Sequence, residues 1–370
     1  MCGNGKLTDD SETSIEFREF LSIIPSSYLK KYSIECLSDE IDKNVKGLVL
    51  QDLVNEIGSR IGFNVVSGRY RGSTNVEKIG YDGLWETSSQ ISLIVEIKIS
   101  STYNINLNTV GNYKKQLIQQ EKCIEEKSSI LLIVGRSDTE GWESQIRGSI
   151  RCRDTRIISV EGLIRLLEIK ESIDEPEVFE KISNILTPQE YRKVDGIIDI
   201  VFSTTEDVRS EVNELSSDVS ETEDIKIHDK TTNEIIREQC IKRINSHLDC
   251  NLIKDSRTSY IDSENNIGLV CLVSRGYRKE SSCGYWFSFH PHQKEMLLNY
   301  KNGYLGLGCG SEQSIILIPI KDLIVWFDKI RMTHKENRSY YHLSLNVKNN
   351  NVSIDTLKEF EPISISEYLI

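Results

Sequence analysis

The chain has 370 residues, 38% of them hydrophobic and 28% charged, enough apolar material for two globular domains with separate cores. No run approaches the roughly 18 apolar residues of a membrane helix, and "MCGNGKLTDDSETSIEF" lacks the basic-then-apolar order of a secretory leader, which argues against membrane and export roles. The net charge of −12 gives no general support for polyanion binding, but half of it is local: residues 205–226 carry eight acids and two bases, whereas residues 230–370 carry 16 acids and 18 bases.

In chain order, the first predicted helix is "NVKGLVLQDLVNEIGSRIGF", with Leu50, Val54, Ile57 and Ile61 on one face and Gly62 as its stop. Strands are expected in "FNVVSGRY", "YDGLWE" and "ISLIVEIKIS". A long helix is predicted in "NTVGNYKKQLIQQEKCIEEK", where Val110, Tyr113, Leu117 and Ile124 recur at helical spacing. "SILLIVGR" is a continuous apolar run of buried-strand type. "TEGWESQIRGSI" reads as a helix, "TRIISV" as a strand and "VEGLIRLLEI" as a closing helix, with further helical stretches around 177–186 and from Pro188 to Phe202. The expected class is α/β, a mixed sheet covered by helices.

Residues 204–229 are acidic, polar and poor in aromatics, which is linker composition, although Val208, Val212 and Leu215 could line a short amphipathic helix. Domains are therefore expected at 1–203 and 230–370. The second should be α+β. It opens with a helix burying Ile235, Ile236, Cys240 and Ile244, followed by strands in "NIGLVCLVSRGYR", "CGYWFSFH", "GYLGLGCGS", "SIILIPI" and "YYHLSLNV" and helices in "HQKEMLLNY" and "KDLIVWFDKI". Gly306, Gly308 and Gly310 share a strand face, which reads as room for a packed neighbour rather than a phosphate loop, because a strand follows. His290 and His292 with Cys283 and Cys309 raise a zinc site; one packed and one exposed imidazole at a strand end is the plainer reading. Tyr285, Phe287 and Phe289 share a face close to Arg275, Tyr277, Arg278 and Lys279, an arrangement that could stack bases, with Arg257, Arg331 and Arg338 as further phosphate contacts. Nine cysteines, an odd number without a Cys-x-x-Cys pair, point to reduced thiols in a cytoplasm.

The chemistry-bearing stretch is "ISLIVEIKIS". Ile91, Leu93, Val95, Ile97 and Ile99 fall on one face, and Ser92, Ile94, Glu96, Lys98 and Ser100 on the other. Glu96 and Lys98 point the same way, and Asp82 can join them if the two strands form a hairpin. Two carboxylates holding a divalent ion beside a lysine are what phosphodiester hydrolysis needs, and hard oxygen ligands imply Mg²⁺, with Mn²⁺ a substitute. A cross-strand charge pair on a solvated face is the bland alternative.

Asp82, thirteen intervening residues, then Glu96-Ile97-Lys98 resembles the PD-(D/E)xK superfamily of restriction-endonuclease-like nucleases, over roughly residues 44–170. The order helix, three strands, helix, strand, helix is similar to that fold. "LQDLVNEIGSRIGF" resembles the first helix of the Mrr-like group. Leu50-Gln51 stands where that group carries an aromatic–Glu pair, leaving Asp52 or Glu56 as a helix-borne acid, and Tyr81 replaces the proline common before the first acid. The resemblance implies a restriction-endonuclease-like domain cutting double-stranded DNA with Mg²⁺, of restriction or phage-defence type. Asp82 and Glu96 would be its metal ligands, Lys98 would align the water and Gln116 would be a further polar group. A homodimer would cut both strands, and the second domain would select DNA or gate activity. The rival readings are an inactive nucleic-acid-binding protein and an effector switched on by a partner protein or nucleotide signal.

Overall fold

The structure is a computed structural model that describes residues 6–37, 43–70, 79–99, 106–135, 140–173, 177–188, 230–274, 276–279, 282–311, 314–335, 338–348 and 351–370. The chain divides into two compact units, residues 1–218 and 219–370, and the division falls inside the acidic segment. Both units are mixed α/β. No described helix is long and apolar enough to cross a membrane. The helices expected at 188–202 and around Val208 to Leu215 lie outside the described residues.

Unit 1 is built on one five-stranded sheet: β1 (Asn64–Ser67), β2 (Gly83–Glu86), β3 (Ser92–Lys98), β4 (Ser128–Val134) and β5 (Thr155–Ser159), side by side in that order. β1, β2 and β3 pair antiparallel, and β3, β4 and β5 pair parallel. The parallel half requires crossovers, and α4 (Leu107–Gln119) and α5 (Glu140–Arg147) supply them. The alternation in β3 sorts its side chains between two cores. Leu93, Val95 and Ile97 meet Leu50, Leu53, Val54 and Ile57 of α3 (Lys43–Ile61) and Leu163 and Leu167 of α6 (Val160–Ser172). Ile94 instead joins Val110 and Leu117 of α4 and Ile146 of α5. A sheet covered on both faces explains why β4 is apolar throughout and buried at every position.

Two helices that the periodicity did not reveal, α1 (Glu12–Ile23) and α2 (Ser26–Glu35), pack near α3, and α7 (Val178–Leu186) closes the same side. The Arg60 guanidinium donates to the carbonyls of Leu21 (2.8 Å) and Ile24 (2.7 Å), capping the end of α1. The helix expected over 108–127 stops at Gln119. Glu121 takes a left-handed φ of 56°, and the Lys122 amide bonds back to the Leu117 carbonyl at 2.9 Å. This Schellman-type reversal feeds the chain into β4 and leaves Ile124 outside the helix.

Unit 2 opens with α8 (Lys230–Leu248). Cys240, Ile241 and Ile244 are its buried residues and Ile235, expected inward, is 51% exposed, because the face centred on Cys240 and Ile244 runs through Ile236 and Ile241. Its first sheet has the order β12 (Ile315–Pro319), β11 (Asn302–Cys309), β8 (Ile267–Ser274), β7 (Ser259–Asp262), β6 (Leu252–Lys254). The second contains β9 (Tyr277–Lys279), β10 (Ser282–Phe289), β13 (Met332–Lys335), β14 (Arg338–Lys348), β15 (Asn351–Ile354) and β16 (Ile363–Ser364), with β14 between β10 and β15. Residues of both sheets share a core with α9 (Pro291–Leu298). The glycine row in β11 serves α8: a Cβ on Gly308 would sit 3.0 Å from Cys240 Sγ, and one on Gly306 would sit 3.1 Å from Ile244 Cδ1.

Candidate metal-binding active site

The hairpin β2–β3 sets the register of the site. Gly83 pairs with Val95 at the end of the hairpin, and Glu96 and Lys98, two apart in β3, share one face of it. The one-to-one register stops at Gly83: the amide of Asp82, just before β2, also donates to the Val95 carbonyl, at 3.1 Å. The Ile97 amide in turn donates to Asp82 Oδ2 at 2.7 Å, which fixes the carboxylate. Glu96 is buried, and its Oε1 meets Lys98 Nζ at 2.5 Å.

The Asp82 backbone is clamped from α3. Its carbonyl accepts from Asn55 Nδ2 at 2.9 Å, Gln51 Nε2 at 3.2 Å and the Gly68 amide at 3.0 Å. Asn55 Oδ1 also accepts from Trp85 Nε1 at 2.9 Å, so one buried amide ties α3 both to β2 and to the residue just before it. Gly83 is what lets Asn55 through, since a Cβ there would lie 2.2 Å from Asn55 Oδ1. Sequence reasoning missed this clamp. Its signal was two amide residues four apart, Gln51 and Asn55, on a helix whose other buried positions are mostly apolar.

The electrostatics of the trio are strained by proximity. Burial and the Glu96 charge push the Asp82 carboxyl up to about 7, only partly opposed by the Ile97 amide and Lys98. Burial alone would lower the Lys98 ammonium, but Glu96 and Asp82 outweigh it and hold it above its ordinary value. On α4, burial followed by the charges of Glu96 and Asp82 raises the Tyr113 hydroxyl, which places Tyr113 within reach of their field. Gln116, one turn later, is half-buried and makes no hydrogen bond or ion pair with Asp82, Glu96 or Lys98 among the described residues.

The residues present suit a small hard cation. Glu96 Oε2 is buried and has no hydrogen-bond partner, and the only described hydrogen bond to the Asp82 carboxylate falls on Oδ2. Among the described residues no cluster of three or more His, Cys, Asp or Glu forms a cage. The alternative helix-borne acids are committed elsewhere. Asp52 pairs with Arg18 at 3.0 Å and accepts from the Tyr70 hydroxyl, and Glu56 pairs with Arg60 at 2.8 Å. Gln51 supports Asp82 through its backbone carbonyl.

In unit 2 the aromatic face turns inward. Phe287 and Phe289 are buried in the core, so these two rings are closed to bases, and the half-buried Tyr285 packs against the same core. The side chains of Arg275, Arg278, Lys279 and Cys283 lie outside the described residues. No zinc cluster forms from His290, His292 and Cys309 among those that are described: His290 sits beside the Ser339 carbonyl at 3.2 Å and stacks on His292, and Cys309 is buried. No family model matches this chain, and no curated protein matches it.

Proposed function

We propose that unit 1 is the catalytic domain of a Mg²⁺-dependent endonuclease with a restriction-endonuclease-like fold, acting on double-stranded DNA in the cytoplasm. The observation that carries this reading is the Asp82 carboxylate held on the Ile97 amide beside Glu96, whose second oxygen is buried and unpartnered, with Lys98 on the same strand face as Glu96. A bound Mg²⁺ would polarise the phosphate and lower the pKa of a water. Asp82 and Glu96 would hold the ion, and the three donors on the Asp82 carbonyl fix the position of the first carboxylate. Lys98, kept protonated by its acidic neighbours, orients the attacking water and offsets charge growing on the phosphoryl oxygens. The water oxygen bonds to phosphorus as the bond to the leaving sugar oxygen breaks, and that oxygen takes up a proton.

One such site cuts one phosphodiester, so double-strand cleavage calls for a homodimer. Unit 2 selects the DNA or gates the cut through a partner protein or signal nucleotide, in keeping with restriction or phage defence. The test is cleavage of plasmid and linear duplex DNA with Mg²⁺, Mn²⁺ or EDTA by wild type and Glu96→Ala. Metal-dependent cutting lost in the variant supports the reading. A folded wild type that cuts with neither metal, alone and with candidate partner proteins or signal nucleotides added, overturns it in favour of an inactive binder.

A further inference from the structure

The loop from α5 to β5 lies outside the carboxylate site and is unlike the rest of the surface. Residues 147–156, "RGSIRCRDTR", hold four arginines and one aspartate, a net +3 in a chain of net −12. At the tip, Ile150 is 94% exposed, whereas the next most exposed large apolar side chain among the described residues, Val325, is 67% exposed.

This tip is built rather than loose. Successive turns hold it: the Ser149 amide donates to the Ile146 carbonyl at 3.0 Å, Cys152 to Ser149 at 3.2 Å and Asp154 to Arg151 at 3.2 Å, while the Arg151 amide reaches Ser149 Oγ at 3.1 Å. Its base is pinned to α4. Asp154 pairs with Lys114 at 3.2 Å and with Arg151 at 3.5 Å, and Arg151 lies so close to Gly111 that a Cβ there would come within 2.0 Å of its Cζ. Arg147 and Arg153 remain exposed. Arg147 Nε donates only to the Glu143 carbonyl at 3.3 Å, and neither arginine has an acidic partner among the described residues.

The loop and the proposed active site flank one helix. Gly111, under Arg151, and Tyr113, in the field of Asp82 and Glu96, are two residues apart on α4 and so face nearly opposite sides of it. The helix between them is about 10–12 Å across, close to the roughly 12 Å width of the DNA major groove, which separates a strand's phosphates from the next minor groove. A rigid apolar tip between unpaired cations complements a polyanion that carries a hydrophobic stack inside it, and apolar wedges between base steps are an established way of gripping the minor groove.

We propose that the loop 147–153 docks into the groove of the duplex that unit 1 cuts, with Arg147 and Arg153 on phosphates and Ile150 wedged at a base step. This rests on the nuclease reading for its ligand. The test uses full-length protein carrying Glu96→Gln, which keeps the DNA uncut, and short duplexes with 2-aminopurine at successive steps. Binding should raise the fluorescence at one or more steps. Adding Ile150→Ala should abolish that rise and weaken affinity by about 3–10-fold, the loss of roughly one to two buried methylenes. Arg147→Gln with Arg153→Gln should lower the slope of log K against log salt by about 2. Urea midpoints equal to those of the parent confirm that the loop variants fold. Unchanged fluorescence and salt slope in these variants would overturn the inference, and would leave the nuclease reading intact if wild type still cuts. Altered binding in the variants of a protein that cuts with no metal would sustain the loop and sink the assignment of Asp82 and Glu96.

Discussion

Asp82→Asn should stabilise the metal-free protein, and by more as pH rises. In the fold, burial and Glu96 push the Asp82 carboxyl up to about 7 from an ordinary 3.8. A raised carboxyl favours the fold in its protonated form. Its contribution is complete below the unfolded value and is lost as pH climbs through about 7. Between those limits each pH unit removes about 1.4 kcal/mol, which bounds the full effect at about 4 kcal/mol. Asp82 is only half-buried, so water at its edge screens part of this and about 1–3 kcal/mol is expected. Asparagine keeps an oxygen for the Ile97 amide but cannot ionise. The assay is urea unfolding in EDTA from about pH 5 to about pH 8, followed through Trp85 and Trp142 after Trp286 and Trp326 in unit 2 are changed to phenylalanine. The gap between variant and parent should widen with pH and level off above about 7. Mg²⁺ should raise the parent midpoint at the alkaline end and leave Asp82→Asn unmoved, because the cation replaces the missing proton. A gap that stays constant with pH would refute the reasoning.

Three further outcomes are expected. Asn55→Ala removes two buried hydrogen bonds and leaves Trp85 Nε1 unpaired, so unit 1 should lose about 2–4 kcal/mol by urea unfolding, and cleavage at saturating DNA should fall with little change in affinity. Equal stability of variant and parent would remove the clamp from the account. Lys98→Ala should abolish cutting, by about 100-fold or more if it orients the water, while Mg²⁺ still shifts the melting temperature; retained cleavage sinks its role. Gly308→Ala forces a methyl against Cys240 Sγ and should destabilise unit 2 by about 1–3 kcal/mol, read by thermal unfolding, with a neutral result showing that α8 can shift.

Where a strand or helix stripe met a single core, its residues were legible from spacing alone. Leu50, Val54, Ile57 and Ile61 all lie in one core, and the alternation from Leu93 to Lys98 divides between two cores as period-2 geometry requires. The nearness of Asp82 to Glu96 and Lys98 was legible because a hairpin return brings the residue before β2 back alongside β3. Ile235 and Ile124 show the limit: apolarity names the residues that could be buried, but a helix's rotation and stopping point depend on its neighbours. The aromatic run in β10 failed similarly, since alternation identifies two faces without saying which one meets the other sheet.

The sequence by itself determined the α/β order of most elements and the strand face carrying Glu96 and Lys98, because these follow from local periodicity. Tertiary structure decided the rest. It turned Gln51 and Asn55 into supports for Asp82, tied Asp52 and Glu56 to arginines, and left Ile150 in water between two cations. Those outcomes depend on long-range approach in three dimensions, where a buried polar atom must find a partner and each carboxylate has only a few cations within reach.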